Sequence, residues 1–139
     1  MDVKKLEAYR SNVAERAELQ DKLDNLGHDD SCIGNSVILD GRKGYPQPRS
    51  IVGYDMKLYR HRKERWEKRI EKLMVEIDEV ESWIEAIPDG MTRRCFRMYY
   101  VEGLSQSMIA KRLHVDRSLI SKKISGFLKV SHNSQNSQL

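Results

Sequence analysis

The chain has few of the residues on which disulfide-bonded and metal-binding proteins depend. Its 139 residues include only two cysteines, Cys32 and Cys95, which lie far apart and form no CxxC pair. The four histidines are scattered, and none has a cysteine or carboxylate at the spacing of metal ligands. The sequence therefore supports neither a disulfide framework nor a zinc site, and we expect no cofactor.

Long apolar runs are also missing. No stretch approaches the roughly 20 consecutive apolar residues that a membrane-spanning helix needs. No secretory apolar region follows Met1. These features predict a cytoplasmic protein that makes no contact with a membrane.

The sequence contains no recognisable catalytic motif either. The glycines of residues 27–53 form no GxxxxGK[ST] phosphate loop, and no nucleophile stands with a base at a recognisable spacing. His28 beside Asp29 and Asp30 is the nearest candidate group, and in a glycine-rich polar segment it is interpreted as a solvated turn. We expect no catalytic residues and no enzymatic activity.

Charge, by contrast, is abundant and segregated along the chain. One third of the residues are charged, yet the net charge is only +4. Residues 91–130 carry nine lysines and arginines against two acids, whereas residues 74–89 carry six acids and no base. Such an asymmetry suggests that the C-terminal part binds a polyanion.

Apolar periodicity predicts an all-α fold with a long helical arm over residues 1–87. Residues 1–26 repeat apolar positions every three or four residues, and residues 54–87 do so more regularly, as a heptad seam. The seam is expected to pack on the first helix, folded back antiparallel, and on a second copy of the chain. The residues assigned to this dimer seam are Trp66, Ile70, Leu73, Ile77, Val80 and Ile84.

The connector between these helices, residues 27–53, breaks the helical pattern. It contains five glycines together with Pro46 and Pro48. One apolar run, Val37–Leu39, precedes Asp40 and Gly41, a pair that could turn a small β-hairpin. We interpret the segment as an irregular loop.

Residues 88–130 predict a three-helix domain that contains a helix-turn-helix. Asp89 is placed to cap a first helix, Ser105 a second and Asp116 a third. Ala110 supplies the small residue expected where the last two helices cross, and Ile120 fills the angle between them. The polar residues 131–139 have nothing to bury and are predicted to be disordered.

A helix-turn-helix inserts the N-terminal half of its second helix into the major groove. Arginine can contact guanine bidentately there, while serine contacts several bases with little preference. The predicted base-contacting residues are Arg117, Ser118, Ser121, Lys122 and Ser125. Contacts to the phosphate backbone are predicted for Ser105, Gln106, Lys123, Arg94 and Arg97.

The same segment resembles region 4 of sigma-70-type factors. The shared features are Tyr100, Glu102, Gly103 and Ser105 at the entry, the run Ile109–Leu113, and Val115, Arg117 and Ile120 after it. A long helix before such a module is similar to the ArpU and RinA-like late-transcription regulators of phages and prophages. This resemblance implies activation of phage late genes near bacterial RNA polymerase, with Arg117, Ser118, Ser121 and Lys122 at base-contacting positions. Two features depart from sigma factors: the promoter-melting region is absent, and serines replace several charged recognition residues.

Two other classes of protein remain open. A phage small terminase subunit also joins a helix-turn-helix to a helical hairpin, although usually with the DNA-binding domain first. An adaptor whose helix-turn-helix binds only protein would show no salt-dependent affinity for DNA. The order of the segments favours a double-stranded-DNA-binding transcriptional regulator.

Overall fold

The computed structural model describes residues 1–27 and 55–137, and these residues form helices without any strand among them. The helices are α1 (Val3–Asp24), α2 (Met56–Glu85), α3 (Gly90–Phe96), α4 (Gln106–Leu113) and α5 (Arg117–Ser137). The predicted all-α fold is confirmed. The β-hairpin predicted within residues 27–53 lies outside the described residues. Within the described ranges, no helix combines the length and apolarity of a membrane span.

The chain divides into two compact units. The first consists of Met1–Ala14 and Leu73–Leu139, and the second of Glu15–Lys72. This division differs from the predicted domain boundary at residue 88. The last turns of α2 belong to the unit that holds the helix-turn-helix because Trp83 packs against Phe96 and Phe127, with ring centroids 5.5 Å apart in both pairs.

The core of the first unit draws on every helix. Leu6 of α1, Leu73 of α2, Phe96 of α3, Ile109 of α4 and Ile120 of α5 are at most 1% exposed. Complete burial of such a side chain contributes roughly 1.5–3 kcal/mol. Burial of these side chains therefore stabilises the unit through all of its helices.

Polar contacts in the first unit show that α1 and α2 run in opposite directions. Lys5 donates to Glu79 at 2.9 Å, and Asn12 donates to Glu76 at 3.3 Å. As the residue number rises along α1 it falls along α2, so the two segments are antiparallel, as predicted. The Lys5–Glu79 pair is about half exposed, and such pairs contribute little to stability.

The second unit contains its own antiparallel pair of helical segments. Arg69 donates to Glu15 at 2.7 Å, and the Lys22 ammonium lies 5.8 Å from the centre of the Trp66 ring. Ile70 is buried in this unit. Apolar contact and paired charge thus hold α1 and α2 together here as well.

The seam assigned to a dimer is covered within a single chain. Every aliphatic member is at most 8% exposed, and Trp66 is half-buried. Those aliphatic members are Ile70, Leu73, Ile77, Val80 and Ile84. Their assignment to a dimer interface is therefore wrong, because a second copy would have to displace the contacts that the chain already makes. A heptad seam shows that a helix needs an apolar partner, but it does not identify the source of that partner.

Helix α3 ends in an unusual turn. After Phe96 it continues into a π-helical turn, Arg97–Val101, in which the Glu102 amide donates to the Arg97 carbonyl five residues earlier at 3.0 Å. Gly103 then adopts a φ of +75°, which ends the helix. The last turn of this helix is therefore wider than an α-helix.

Helix α5 is longer than the sequence predicted. It continues to Ser137, so the prediction of disorder from residue 131 is wrong over residues 131–137. Neither glycine nor proline occurs between Phe127 and Ser137 to end the helix. Residues 138 and 139 lie outside the described residues.

Candidate nucleic-acid interface

Helix α4 begins and ends with well-formed caps. The Ser105 hydroxyl accepts from the Met108 amide at 3.2 Å, as predicted for an N-cap. At the other end His114 is left-handed, with φ +57° and ψ +45°. The His114 amide donates to the Lys111 carbonyl, and the Val115 amide donates to the Ala110 carbonyl at 3.0 Å. This is a Schellman arrangement, so a histidine performs the role that glycine usually has at this turn.

The N-terminal half of α5 is fixed by its buried face. The Asp116 carbonyl accepts from the Leu119 amide at 3.1 Å in the first turn. Ile120 is 0% exposed and Ile124 is 4% exposed, so both are fully packed. The helix therefore presents its opposite face at a defined orientation on the three-helix support.

That opposite face carries an exposed polar stripe. Ser118, Lys122, Ser125 and Lys129 follow one another in steps of four, three and four residues, and all are exposed. Ser121 lies at the edge of the stripe and is half-buried. The structure thus brings most of the predicted base-contacting residues to one surface. Lys129 was missed as a site residue, although its spacing from Ser125 could have identified it.

Arg117 is exposed for a different reason. It has the helical phase of Ile120 and Ile124, three and seven residues later, which places it toward the buried face. It is nevertheless exposed, because it is the first residue of α5 and no earlier turn covers it. Its side chain is therefore available at the tip of the helix, where a helix in the major groove makes base contacts.

The residues predicted to contact phosphates fall into two groups. Arg94 and Arg97 are exposed, and Ser105 and Gln106 stand at the start of α4, the latter half-buried. Lys123 differs from the prediction: it is half-buried, and its ammonium lies 3.4 Å from Asp89 Oδ2. Lys123 therefore anchors α5 within the domain instead of extending toward a DNA backbone.

Asp89 is the acceptor at the centre of this anchoring contact. Its Oδ2 accepts from the Thr92 amide at 3.0 Å and from the Thr92 hydroxyl at 2.6 Å, as the predicted cap of α3. Hydrogen bonds from Thr92, followed by the contact with Lys123, hold the pKa of Asp89 below its ordinary value. The carboxylate is therefore kept charged at the beginning of α3.

Other charged groups near the helix-turn-helix are also partly engaged. Arg93 donates to the Ile87 carbonyl at 2.8 Å, and Arg112 lies 3.9 Å from Glu102.

Burial raises the pKa of the Cys95 thiol, which therefore stays protonated in the core. Among residues 1–27 and 55–137, no group of three His, Cys, Asp or Glu side chains is placed to hold a metal ion.

A cleft of about 350 Å³ lies beside the start of α4. It is lined by Leu6 and Arg10 of α1 and by Tyr99, Leu104 and Ser105, among others. The Arg10 guanidinium covers Gly103 so closely that a Cβ there would lie 2.4 Å from Arg10 Cζ. The cleft is thus partly filled by the contact that joins α1 to the entry of the helix-turn-helix.

Comparison with protein-family models, curated proteins and solved structures finds no match for this chain.

Proposed function

We propose that this chain is a sequence-specific regulator of transcription that binds double-stranded DNA through α5. The supporting observation is the exposed stripe of Ser118, Lys122, Ser125 and Lys129, with Arg117 at the helix tip. The opposite face, Ile120 and Ile124, is fully packed, so the stripe projects from a rigid support. Hydroxyls and amines at this spacing fit the hydrogen-bonding edges of bases and the phosphates that flank them.

The test is selection of binding sites from random duplexes, followed by affinity measurements with Arg117→Ala. We expect this variant to lose roughly 1–3 kcal/mol of affinity at the selected site and to accept other bases at one position. Lys129→Ala, at the far end of the stripe, should weaken binding to all sequences alike, because a backbone contact carries no sequence information.

A charge-matched control is Lys4→Ala, which removes one positive charge from the exposed surface of α1. It should leave both affinity and sequence preference unchanged. If Arg117→Ala behaves like Lys4→Ala at the selected site, the base-contacting role assigned to α5 is refuted.

The more specific role rests on the resemblance to phage late-transcription regulators. In that role the chain acts in the cytoplasm of a bacterial host, on the nucleoid, close to RNA polymerase. Crosslinking to DNA in the native host, mapped genome-wide, tests this role directly. Bound sites upstream of a block of late genes would support the activator, whereas sites at a packaging start would support a small terminase subunit. The absence of bound sites would indicate a protein adaptor.

Dimerisation remains a prediction. Two copies would place two α5 helices at half-sites about one helical turn apart, or a multiple of that distance. Their interface would have to use residues other than the buried seam of α2.

A further inference from the structure

We propose that the second unit carries a separate surface for the phosphate backbone of double-stranded DNA, formed by one face of α2. The surface consists of Lys57, His61, Arg65, Lys68 and Lys72, and we call it the α2 basic stripe. The inference rests on the proposed function only in taking DNA as the polyanion. It uses none of the helix-turn-helix residues.

The spacing of these residues places them on a single face. They follow one another in steps of four, four, three and four residues along an uninterrupted helix. Tyr59, Trp66 and Ile70, which are half-buried or buried, have the opposite helical phase. At 1.5 Å per residue, the α2 basic stripe is about 22 Å long.

The side chains of the stripe are not used within the fold. All five side chains are exposed, and in the part of the chain that the structure describes none takes part in an ion pair or side-chain hydrogen bond. Arg69, on another face of the same helix, differs because it is paired with Glu15. Arg69, which faces α1, is therefore neutralised within the fold, whereas the outward-facing lysines and arginine of the stripe are available to a binding partner.

Positive charge predominates in this part of α2. Residues 56–72 carry eight lysines and arginines against three glutamates, whereas residues 74–85 of the same helix carry five acids and no base. A surface that serves only solubility intersperses the two signs. Segregation of positive charge over several turns is instead typical of a face that meets a polyanion.

The dimensions and chemistry of the stripe fit a DNA backbone better than base edges. Each strand of a duplex carries one phosphate per about 3.4 Å of helix axis, so a stripe of this length spans an axial distance that holds about six phosphates of one strand. Lysine is a point charge on a flexible stem, which suits phosphates of varying position. The surface should therefore add affinity without sequence preference.

The test compares a neutralised variant with a charge-preserving one. The first carries Lys57→Gln, Arg65→Gln, Lys68→Gln and Lys72→Gln, and the second carries Lys57→Arg, Arg65→Lys, Lys68→Arg and Lys72→Arg. Affinity for a duplex that lacks the selected site is measured over a range of salt concentrations. Each lost contact between a cation and a phosphate should reduce the slope of log K against log salt by about 0.9. The neutralised variant lacks four cations, so we expect its slope to be reduced by about 2–4. The charge-preserving variant should retain the slope of the original chain.

Either of two results would overturn the inference. One is a neutralised variant that keeps the original slope and affinity while circular dichroism shows it folded. The other is a neutralised variant that no longer self-associates in sedimentation but keeps the original slope of log K against log salt. The stripe would then bind the acidic part of α2 in a second copy of the chain, and not DNA.

Arg117→Ala, measured in the same salt series, separates this inference from the proposed function. It should reduce the slope by no more than about 1. If Arg117→Ala abolishes sequence preference while the neutralised variant binds normally, the regulator stands and the second surface fails. If the neutralised variant loses its salt-dependent binding while Arg117→Ala keeps full preference, the second surface stands and the role of α5 fails.

Discussion

The ammonium of Lys123 lies 3.4 Å from Oδ2 of Asp89, the same oxygen that accepts the two hydrogen bonds of Thr92. One carboxylate therefore caps α3 and also contacts α5 through the half-buried side chain of Lys123. The candidate DNA-binding helix, whose Ile120 and Ile124 are buried, is thus also tied to α3 by a polar contact. Protonation of this carboxylate in acid should therefore destabilise the chain.

Replacement of Asp89 by asparagine should destabilise the chain at neutral pH, and the deficit should shrink in acid. The pKa of Asp89 is lowered in the folded chain, first by the hydrogen bonds of Thr92. A lowered pKa contributes stability above the unfolded-state pKa of about 3.9, and that contribution is lost as the pH falls through the folded-state value. Urea unfolding of the original chain and of Asp89→Asn at pH 7, 5, 3 and 2 measures the difference.

Lys123→Gln is the matched control for that measurement. It removes the ammonium but leaves both Thr92 hydrogen bonds, which come first among the causes that lower the pKa of Asp89. Its pH-dependent deficit should therefore be the smaller of the two. A deficit in Asp89→Asn that stays constant from pH 7 to 2 would contradict the assignment of this contact to acid sensitivity.

Replacement of Gly103 by alanine should destabilise the first unit. Gly103 has a φ of +75°, and a non-glycine residue in a left-handed conformation costs about 1–2 kcal/mol. An added Cβ would also lie 2.4 Å from Cζ of Arg10. Since Arg10 is a long side chain that can move, we attribute most of the loss to the backbone.

The double variant Arg10→Ala with Gly103→Ala tests that attribution. Alanine at position 10 removes the overlap but leaves the positive φ, so most of the loss in unfolding free energy should persist. If Gly103→Ala causes no loss in the Arg10→Ala background, the overlap and not the backbone is the cause.

Replacement of Gly126 by alanine should have the opposite effect. Gly126 lies inside α5, and a Cβ there would meet nothing within 4 Å. Alanine is about 0.8–1.0 kcal/mol more favourable than glycine inside a helix, so the chain should gain up to that amount. Thermal and urea unfolding measure the gain. Destabilisation by Gly126→Ala would show that this position is constrained in a way that its open surroundings do not suggest.

Local features of the chain could be predicted from the sequence, whereas contacts between distant residues could not. The caps at Asp89 and Ser105 and the packing of Ile120 were predicted because they follow from residues within one or two turns. The contact of Lys123 with Asp89 joins residues 34 positions apart, and no periodicity indicates it. The exposure of Arg117 has a local cause: it is the first residue of α5, so no earlier turn covers it although its helical phase points inward.

The heptad seam shows the same limit at the level of assembly. The spacing of Ile70, Ile77 and Ile84 correctly predicted a buried face, and all three are buried. It could not show whether the chain itself or a second copy covers them, because both partners satisfy the same apolar requirement. The unit boundary was missed likewise, since Trp83 meets Phe127 only through the tertiary fold.

Replacement of Ile77 by alanine should therefore destabilise each chain by itself. Ile77 is 4% exposed in the single chain, and loss of a buried isoleucine to alanine costs about 2–5 kcal/mol. Val75→Ala is the control, since Val75 is 68% exposed on the same helix and its truncation should change stability by no more than about 0.5 kcal/mol. Melting temperatures measured over a wide range of protein concentration distinguish the two origins of the loss. A seam closed within the chain gives an Ile77→Ala deficit that is independent of concentration, whereas a seam shared by two copies would give a melting temperature that rises with concentration.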